Sequence, residues 1–115
     1  MHTLDIKPLS VNRASSVSRG RIIKTAEFRN YVKDINLMLP PTLEIPEGKL
    51  GLYIIFGFSN RSCDLDNPVK PFQDCLQKKY GFNDNKIYHL DVKKEITKRG
   101  KEFIKFKIEE YQSPS

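Results

Sequence analysis

Two aspartates separated by one residue stand near the middle of the chain, in segment 63–70 (CDLDNPVK). In extended backbone, the side chains of Asp64 and Asp66 project to the same side. Two carboxylates that point together repel each other unless a positive charge lies between them, and a divalent metal ion is the common solution. Asn67 is a good N-cap and Pro68 a good first helical residue, so we predict that a helix begins directly after the aspartates.

The surrounding residues favour magnesium over calcium as the bound ion. In a helix-loop-helix calcium loop, the fifth, sixth and twelfth positions would be Pro68, Val69 and Cys75, and none of them can serve. A magnesium site needs only two or three carboxylates together with waters and substrate phosphate. Asp84 is the candidate third ligand. A helix of about a dozen residues is roughly 18 Å long, so Asp84 reaches the aspartate pair only if the chain folds back.

Lys70 falls in the first turn of the predicted helix, close to the two carboxylates. In a structural role, Lys70 would form an i, i+4 ion pair with Asp74, a contact that contributes only a few tenths of a kcal/mol. In a catalytic role, Lys70 would stabilise negative charge on a phosphorane-like transition state. Beside a metal site the second role is favoured, and the two are compatible.

Basic residues are concentrated near the N-terminus. The chain carries 20 Lys and Arg against 14 Asp and Glu, a net charge of +6, and it has no acidic residue between Ile6 and Ala26. Such a distribution favours a polyanionic partner over a mere aid to solubility. We therefore predict that segment 10–24 is a mobile loop that grips phosphates, the alternative being a disordered connector. Its candidate phosphate contacts, which would be DNA contacts if the polyanion is DNA, are Asn12, Arg13, Arg19, Arg21 and Lys24.

Hydrophobic spacing predicts six main elements: strands at 3–8, 49–58, 87–96 and 103–108, and helices at 25–39 and 67–80. The apolar stripe of 25–39 is that of a helix with one buried face, ended by a proline pair. Segment 49–58 is apolar on both faces, which is typical of a central strand. Residues 98–100 predict a hairpin turn between the last two strands. The predicted fold is α/β (α+β), a small mixed β-sheet with two main helices.

Length and composition predict one domain spanning residues 1–115, with a flexible tail at about 111–115. The two cysteines, Cys63 and Cys75, lack the further ligands that a tetrahedral zinc site needs. We expect no signal peptide and no membrane span, because no apolar segment is long enough. A cytoplasmic, reduced protein is therefore expected. The modest 38% apolar content, beside a strand that is apolar on both faces, is compatible with a homo-oligomer.

Taken together, these residues resemble the RusA family of Holliday-junction resolvases along nearly the whole chain. The core of the resemblance is Asp64, Leu65, Asp66 and Asn67, followed by Lys70, Asp74, Leu76, Gly81, Phe82 and Asp84. Upstream, Pro8 and segments 10–13 (SVNR) and 19–21 (RGR) are similar to the N-terminal loop of that family. Two features differ from the family pattern. Asn83 stands where the family usually has the first of two acids, and the basic run before the aspartates is reduced to Arg61.

The resemblance implies that Asp64, Asp66 and Asp84 hold Mg²⁺, with Mn²⁺ able to substitute, and that Lys70 assists at the scissile phosphate. It implies a homodimer that cuts two strands of a four-way DNA junction symmetrically, in DNA recombination and repair. The products would carry 5′-phosphate and 3′-hydroxyl ends, formed by metal-activated water in an in-line displacement. Arg61 and Asn67 join the candidate DNA contacts.

Two other functions stay open at the level of sequence. A non-catalytic DNA-binding module would keep the basic segment without the chemistry, although the presence of all three aspartates and Lys70 argues against it. A metal-dependent nuclease for another branched or single-stranded DNA would carry the same residues. Junction specificity depends on dimer spacing and groove shape, which the sequence does not express.

Overall fold

The computed structural model describes residues 1–18 and 20–112, apart from the side chains of residues 14–18, 21 and 22. Its elements are β1 (His2–Leu4), α1 (Val11–Ala14), β2 (Ser15–Ser18), β3 (Arg21–Lys24), α2 (Ala26–Met38), β4 (Leu50–Phe58), α3 (Val69–Tyr80), β5 (Ile87–Ile96) and β6 (Phe103–Glu110). A single 3₁₀ turn, Asp84–Lys86, precedes β5. The α+β architecture with a mixed sheet is as predicted, and the short α1 is additional to the two main helices.

The predicted central strand is confirmed. β4 lies inside a four-stranded sheet of order β1-β6-β4-β5, parallel to β5 and antiparallel to β6. Leu52, Ile54 and Phe56 alternate along one face of β4 and are at most 1% exposed, because α2 and α3 cover that face. The carboxyl end of β4 then delivers the chain directly into the loop that carries the paired aspartates.

The predicted hairpin between the last two strands is wrong. β5 and β6 pair with opposite sides of β4 and not with each other, so residues 97–102 cross over the end of β4. There the Thr97 amide donates to the Phe58 carbonyl at 2.7 Å. The turn signal itself is real, since Gly100 has a φ of 87°. Alternation and turn residues do not specify the pairing partner, and the apolar β4 offers both strands a buried neighbour.

The edge strand β5 is less buried than the alternation of its apolar residues predicts. We expected Tyr88, Leu90, Val92 and Ile96 of β5 to face inward. Val92 is half-buried, whereas Tyr88, Leu90 and Ile96 are 58%, 45% and 46% exposed. β5 has a neighbour on one side only, and its apolar residues therefore extend beyond the cover that the helices provide.

The helix predicted at 25–39 is confirmed as α2. The Thr25 hydroxyl accepts a hydrogen bond from the Phe28 amide at 3.0 Å, which satisfies one of the free N–H groups of the first turn. Phe28, Tyr31 and Ile35 form its buried face. The helix ends at Met38 because two prolines follow shortly afterwards.

The helix predicted at 67–80 begins two residues later, at Val69. Pro68 takes the cap position without any side-chain cap bond, and Asn67 uses its amide elsewhere, so the prediction of Asn67 as N-cap is wrong. Pro71 falls in the first turn, where its missing N–H has no intrahelical partner to lose. Phe72 anchors the helix to the sheet through edge contacts with the rings of Phe56 and Phe106, at 6.3 and 5.5 Å between centroids.

Segment 10–24, predicted to be a mobile loop, contains regular structure. It forms α1 and then the antiparallel pair β2 and β3, separate from the main sheet. Arg19 lies outside the described residues, as do 113–115 of the predicted flexible tail. No helix in the described part of the chain is long and apolar enough to cross a membrane.

Candidate active site

The paired aspartates lie in the loop between β4 and α3, and both are exposed. The Asp66 carbonyl accepts from the Val69 amide at 3.1 Å, which joins the motif to the start of α3. The side-chain amide of Asn67 donates to Oδ2 of Asp64 at 3.2 Å. Asn67 therefore orients Asp64 rather than capping the helix, and the carboxylates stay accessible to an ion or to substrate.

Lys70 joins the start of α3 to the residues that follow its end. Its Nζ lies 3.0 Å from Oδ1 of Asp74 and 3.6 Å from Oδ2 of Asp84. The predicted i, i+4 pair with Asp74 is thus present. The chain also folds back after Gly81 far enough to bring Asp84 alongside the first turns of α3. The hydrogen bond to Asp74, with help from the charge on Asp84, raises the pKa of Lys70, so its ammonium form persists at neutral pH.

Asn83 holds the backbone that presents Asp84. Its side-chain oxygen accepts from the Asn85 amide at 3.1 Å and caps the 3₁₀ turn at 84–86. The Lys86 amide also donates to the Asn83 carbonyl at 3.1 Å. The position that differs from the RusA pattern therefore has a structural function here, and the neighbouring Asp84 keeps an exposed carboxylate.

Asp64, Asp66 and Asp84 fit magnesium by chemistry, because all three offer exposed carboxylate oxygens to a hard cation. Their side chains are not gathered as they stand, since Asp84 turns one oxygen toward Lys70 and Asp64 is held by Asn67. Over residues 1–18 and 20–112, no three His, Cys, Asp or Glu side chains lie close enough together to enclose an ion. Magnesium usually keeps several waters among its ligands, so two carboxylates are enough as the ligands supplied by the protein.

The N-terminal segment packs directly on the aspartate loop. The Val11 amide donates to the Asn67 carbonyl at 2.9 Å. Ser10 organises the turn before α1, because its hydroxyl accepts from the Asn12 amide at 3.2 Å and its carbonyl from the Arg13 amide at 2.9 Å. Residues 10–13 and the aspartate loop, which are 50 positions apart in sequence, therefore form one continuous surface.

A cleft of about 370 Å³ separates these two segments. Lys7, Arg13, Asp64 and Asn67 are among its lining residues. Basic side chains and the Asp64 carboxylate thus border the same space, which a phosphodiester could enter. Arg13 also lies 3.9 Å from Glu27, a distant and exposed pair that leaves its guanidinium free to turn toward the cleft.

Glu102 is a carboxylate in this cleft that sequence reasoning missed. Ser59 Oγ donates to its Oε2 at 2.9 Å, and the Gly100 amide donates to its Oε1 at 2.8 Å. A hydrogen bond from its own backbone N–H, followed by the bond from Ser59, lowers the pKa of Glu102. These contacts join the 97–102 crossover to the end of β4 and close that side of the cleft. No local motif marks this residue, because its partner is 43 positions away.

Lys94 is a second missed residue, and it supports the aspartate loop from below. Its Nζ donates to the Arg61 carbonyl at 2.6 Å and to the Cys63 carbonyl at 2.7 Å. Both carbonyls belong to the turn that precedes Asp64. The sequence carried one signal for this role, namely a lysine that interrupts the inward-facing apolar alternation of β5 between Val92 and Ile96.

The remaining candidate DNA contacts are dispersed. Arg13 reaches the cleft and Asn12 is exposed beside it. Arg61 is exposed on the aspartate loop. The Lys24 ammonium lies over the Phe28 ring, 4.6 Å from its centroid, in a different groove. Arg19 and the Arg21 side chain lie outside the described residues, so their predicted roles stay predictions.

Comparison with known proteins gave no match, either to a model of a protein family or to a curated protein sequence. The residues and their geometry therefore carry the functional conclusion.

Proposed function

We propose that this protein is a magnesium-dependent endonuclease that cuts branched DNA, with the four-way junction as its substrate. One observation carries the proposal. Lys70 stands in the first turn of α3, directly after the loop that holds Asp64 and Asp66, and its Nζ lies 3.6 Å from Oδ2 of Asp84. Three aspartates and a lysine in this chain order are what the resemblance to the RusA family calls for.

In this proposal Asp64 and Asp66 hold the ion, with Asp84 as the third ligand. When bound, magnesium supplies activation of a water nucleophile and neutralisation of charge at the phosphate. Lys70 stays protonated and stabilises negative charge that develops on the phosphoryl oxygens. Asn67 restricts the orientation of Asp64 by donating to one of its carboxylate oxygens.

The cleft beside Asp64 provides the means to position the DNA. Lys7 and Arg13 are suited to contact phosphates that flank the scissile bond, because phosphate contacts set the register of a protein on nucleic acid. The hydrogen bond between the Val11 amide and the Asn67 carbonyl ties the backbone of the N-terminal segment to the aspartate loop. A phosphate held by the N-terminal segment is therefore held at a defined place relative to the carboxylates.

Paired cleavage of a junction requires two active sites, so the proposal includes a homodimer. The exposed apolar residues of the edge strand β5, Tyr88, Leu90 and Ile96, are consistent with contact to a second copy. Light scattering coupled to size-exclusion chromatography tests this part separately from the chemistry.

A second function has one observation in its favour. The described acidic side chains are not gathered around a common point, which would suit a DNA-binding module without hydrolytic activity. The two functions differ in one result. The binding module retains junctions at any magnesium concentration and leaves every strand intact.

The test is the variant Asp66→Asn, with Asp91→Asn as the matched control. Asp91 pairs with Tyr53 in register and lies on the sheet face away from α2 and α3. We expect Asp66→Asn to abolish cleavage of a synthetic four-way junction and to bind that junction as well as the wild type or better, because a repulsive carboxylate is removed. The control should cut normally. Undiminished cleavage by Asp66→Asn at saturating magnesium would remove Asp66 from the ligand set.

A further inference from the structure

A second concave surface lies between α2 and α3, and the proposed chemistry makes no use of it. It encloses about 590 Å³, more than the cleft beside Asp64. Four cationic side chains line it: Lys24, Arg29, Lys33 and Lys78. We call this surface the interhelical groove.

The groove has an apolar floor and a defined width. Phe28 and Cys75, which are 7% and 4% exposed, form the floor together with the half-buried Val32. The two helices are fixed to each other near their carboxyl ends, where Lys79 Nζ donates to the Asn36 carbonyl at 3.1 Å and Tyr80 Oη to the Pro40 carbonyl at 2.9 Å. The groove is therefore a built feature of the helix pair and not a gap between mobile segments.

The charges in the groove are poorly compensated. Of the described side chains that line the groove, Asp74 alone is a carboxylate, and Lys70 Nζ already lies 3.0 Å from its Oδ1. Among the described residues, Lys33 and Lys78 have no carboxylate within ion-pair distance. Like charges placed along one groove raise its potential, and the partner that lowers it is a polyanion.

The groove lies next to Lys70 of the candidate active site. Asp74 forms part of its wall and is also bound to Lys70, whose ammonium lies 3.6 Å from Asp84. A strand that passes Lys70 therefore reaches the wall of the groove at Asp74. The groove volume of about 590 Å³ is in the range of small-ligand sites and accommodates a few nucleotides of one strand.

We propose that the interhelical groove binds a single DNA strand that leads away from the cleaved phosphate, an inference that rests on the proposed nuclease function. Arg29, Lys33 and Lys78 pair with successive phosphates, while the apolar floor contacts sugars and base edges. A positively charged groove with apolar surface is the usual means of holding single strands without sequence preference. The substrate preferred by the enzyme would then carry a stretch of unpaired or separated strand at its branch point.

The test compares two triple variants with the same change in charge. The groove variant is Arg29→Gln, Lys33→Gln, Lys78→Gln. The control is Lys93→Gln, Lys105→Gln, Lys107→Gln, whose residues lie in register with Ile55 and Tyr53 on the sheet face away from the helices. Circular dichroism and thermal unfolding verify that both variants are folded, as expected for changes to side chains on the surface.

The probe is a short oligothymidylate, titrated by fluorescence anisotropy between 0.1 and 1 M NaCl in EDTA. Each phosphate contact on a single strand contributes a slope of about −0.7 in log K against log salt. Loss of three contacts should therefore make the slope less negative by about 2 units and lower the affinity at 0.1 M by roughly 100-fold. The control should retain the wild-type slope.

The outcomes separate this inference from the proposed function. If the groove variant loses oligothymidylate binding and the wild type cuts no DNA with magnesium, the groove assignment stands and the nuclease proposal fails. If the wild type cuts junctions and the groove variant binds the oligonucleotide like the control, the groove assignment is overturned, and an acidic protein becomes the better occupant.

Discussion

Replacement of Lys94 by methionine should uncouple the aspartate loop from the sheet without replacing any residue proposed to contact DNA or metal. The ammonium donates to the carbonyls of Arg61 and Cys63 at 2.6 and 2.7 Å, and both residues belong to the turn that leads into Asp64. Methionine keeps much of the length and apolar contact of the lysine stem. The perturbation is therefore loss of two charge-assisted hydrogen bonds.

The size of the effect follows from that count. Hydrogen bonds to charged groups contribute about 1.5–3 kcal/mol each, and we take about 1 kcal/mol each for Lys94 because it is half-buried and water can replace part of the loss. The two bonds together give about 2 kcal/mol, which lowers the equilibrium constant for the ordered loop roughly 30-fold. Residues that support metal ligands from behind show similar losses of about 10–100-fold.

The assay is single-turnover cleavage of a four-way junction over a magnesium titration. Lys94→Met should raise the magnesium concentration needed for half-maximal rate and lower the maximal rate, while junction binding in EDTA stays unchanged. Lys93→Met is the matched control, because Lys93 is the neighbour of Lys94 in β5, is exposed, and lies on the opposite face of the strand. If Lys94→Met cuts with the rate and magnesium dependence of the control, the loop does not depend on this contact and the reasoning is refuted.

Two further predictions concern stability. Thr25→Ala removes the hydroxyl that caps α2 and that also donates to the Arg13 carbonyl at 2.7 Å. Urea unfolding should therefore show a free energy of unfolding lower by about 1 kcal/mol, against a loss of less than about 0.5 kcal/mol for Thr42→Ala at an exposed position. Equal losses would contradict the capping role of Thr25. Burial raises the pKa of the Cys75 thiol from 9.0 to about 12, so the folded state keeps a proton that the unfolded state releases between these values. The free energy of unfolding should therefore fall as pH rises above 9, and less steeply in Cys75→Ala. The same slope in both proteins would contradict this assignment.

Local patterns predicted the elements whose determinants are local. The apolar stripe of 25–39 carries its own cap at Thr25 and its own stop at the prolines, and α2 follows it closely. β4 was recognisable as central because both of its faces are apolar. The start of α3 lies two residues later than predicted, because Pro68 with αR backbone occupies the cap position, and the Asn67 side chain contacts Asp64, which cap preferences do not include.

Contacts between distant segments were beyond the reach of local patterns. β5 and β6 both pair with β4 because β4 offers the larger buried face. The short connection between β5 and β6 suggested instead that they pair with each other as a hairpin. Glu102 and Lys94 act through partners 43 and more than 30 positions away. The position of Asp84 also depends on a contact between separate segments. Asp84 follows the end of α3, and its carboxylate lies 3.6 Å from Lys70 in the first turn of that helix. Its role as a metal ligand stays a prediction.

Cleavage of a labelled four-way junction, measured side by side with forked and linear duplexes, tests the central claim most directly. Each DNA is incubated with the wild-type protein in magnesium and, separately, in EDTA. The proposal predicts paired nicks in opposite strands of the junction, with 5′-phosphate ends, in magnesium alone. Intact junctions at saturating protein and magnesium, or equal cutting in the presence of EDTA, would contradict it.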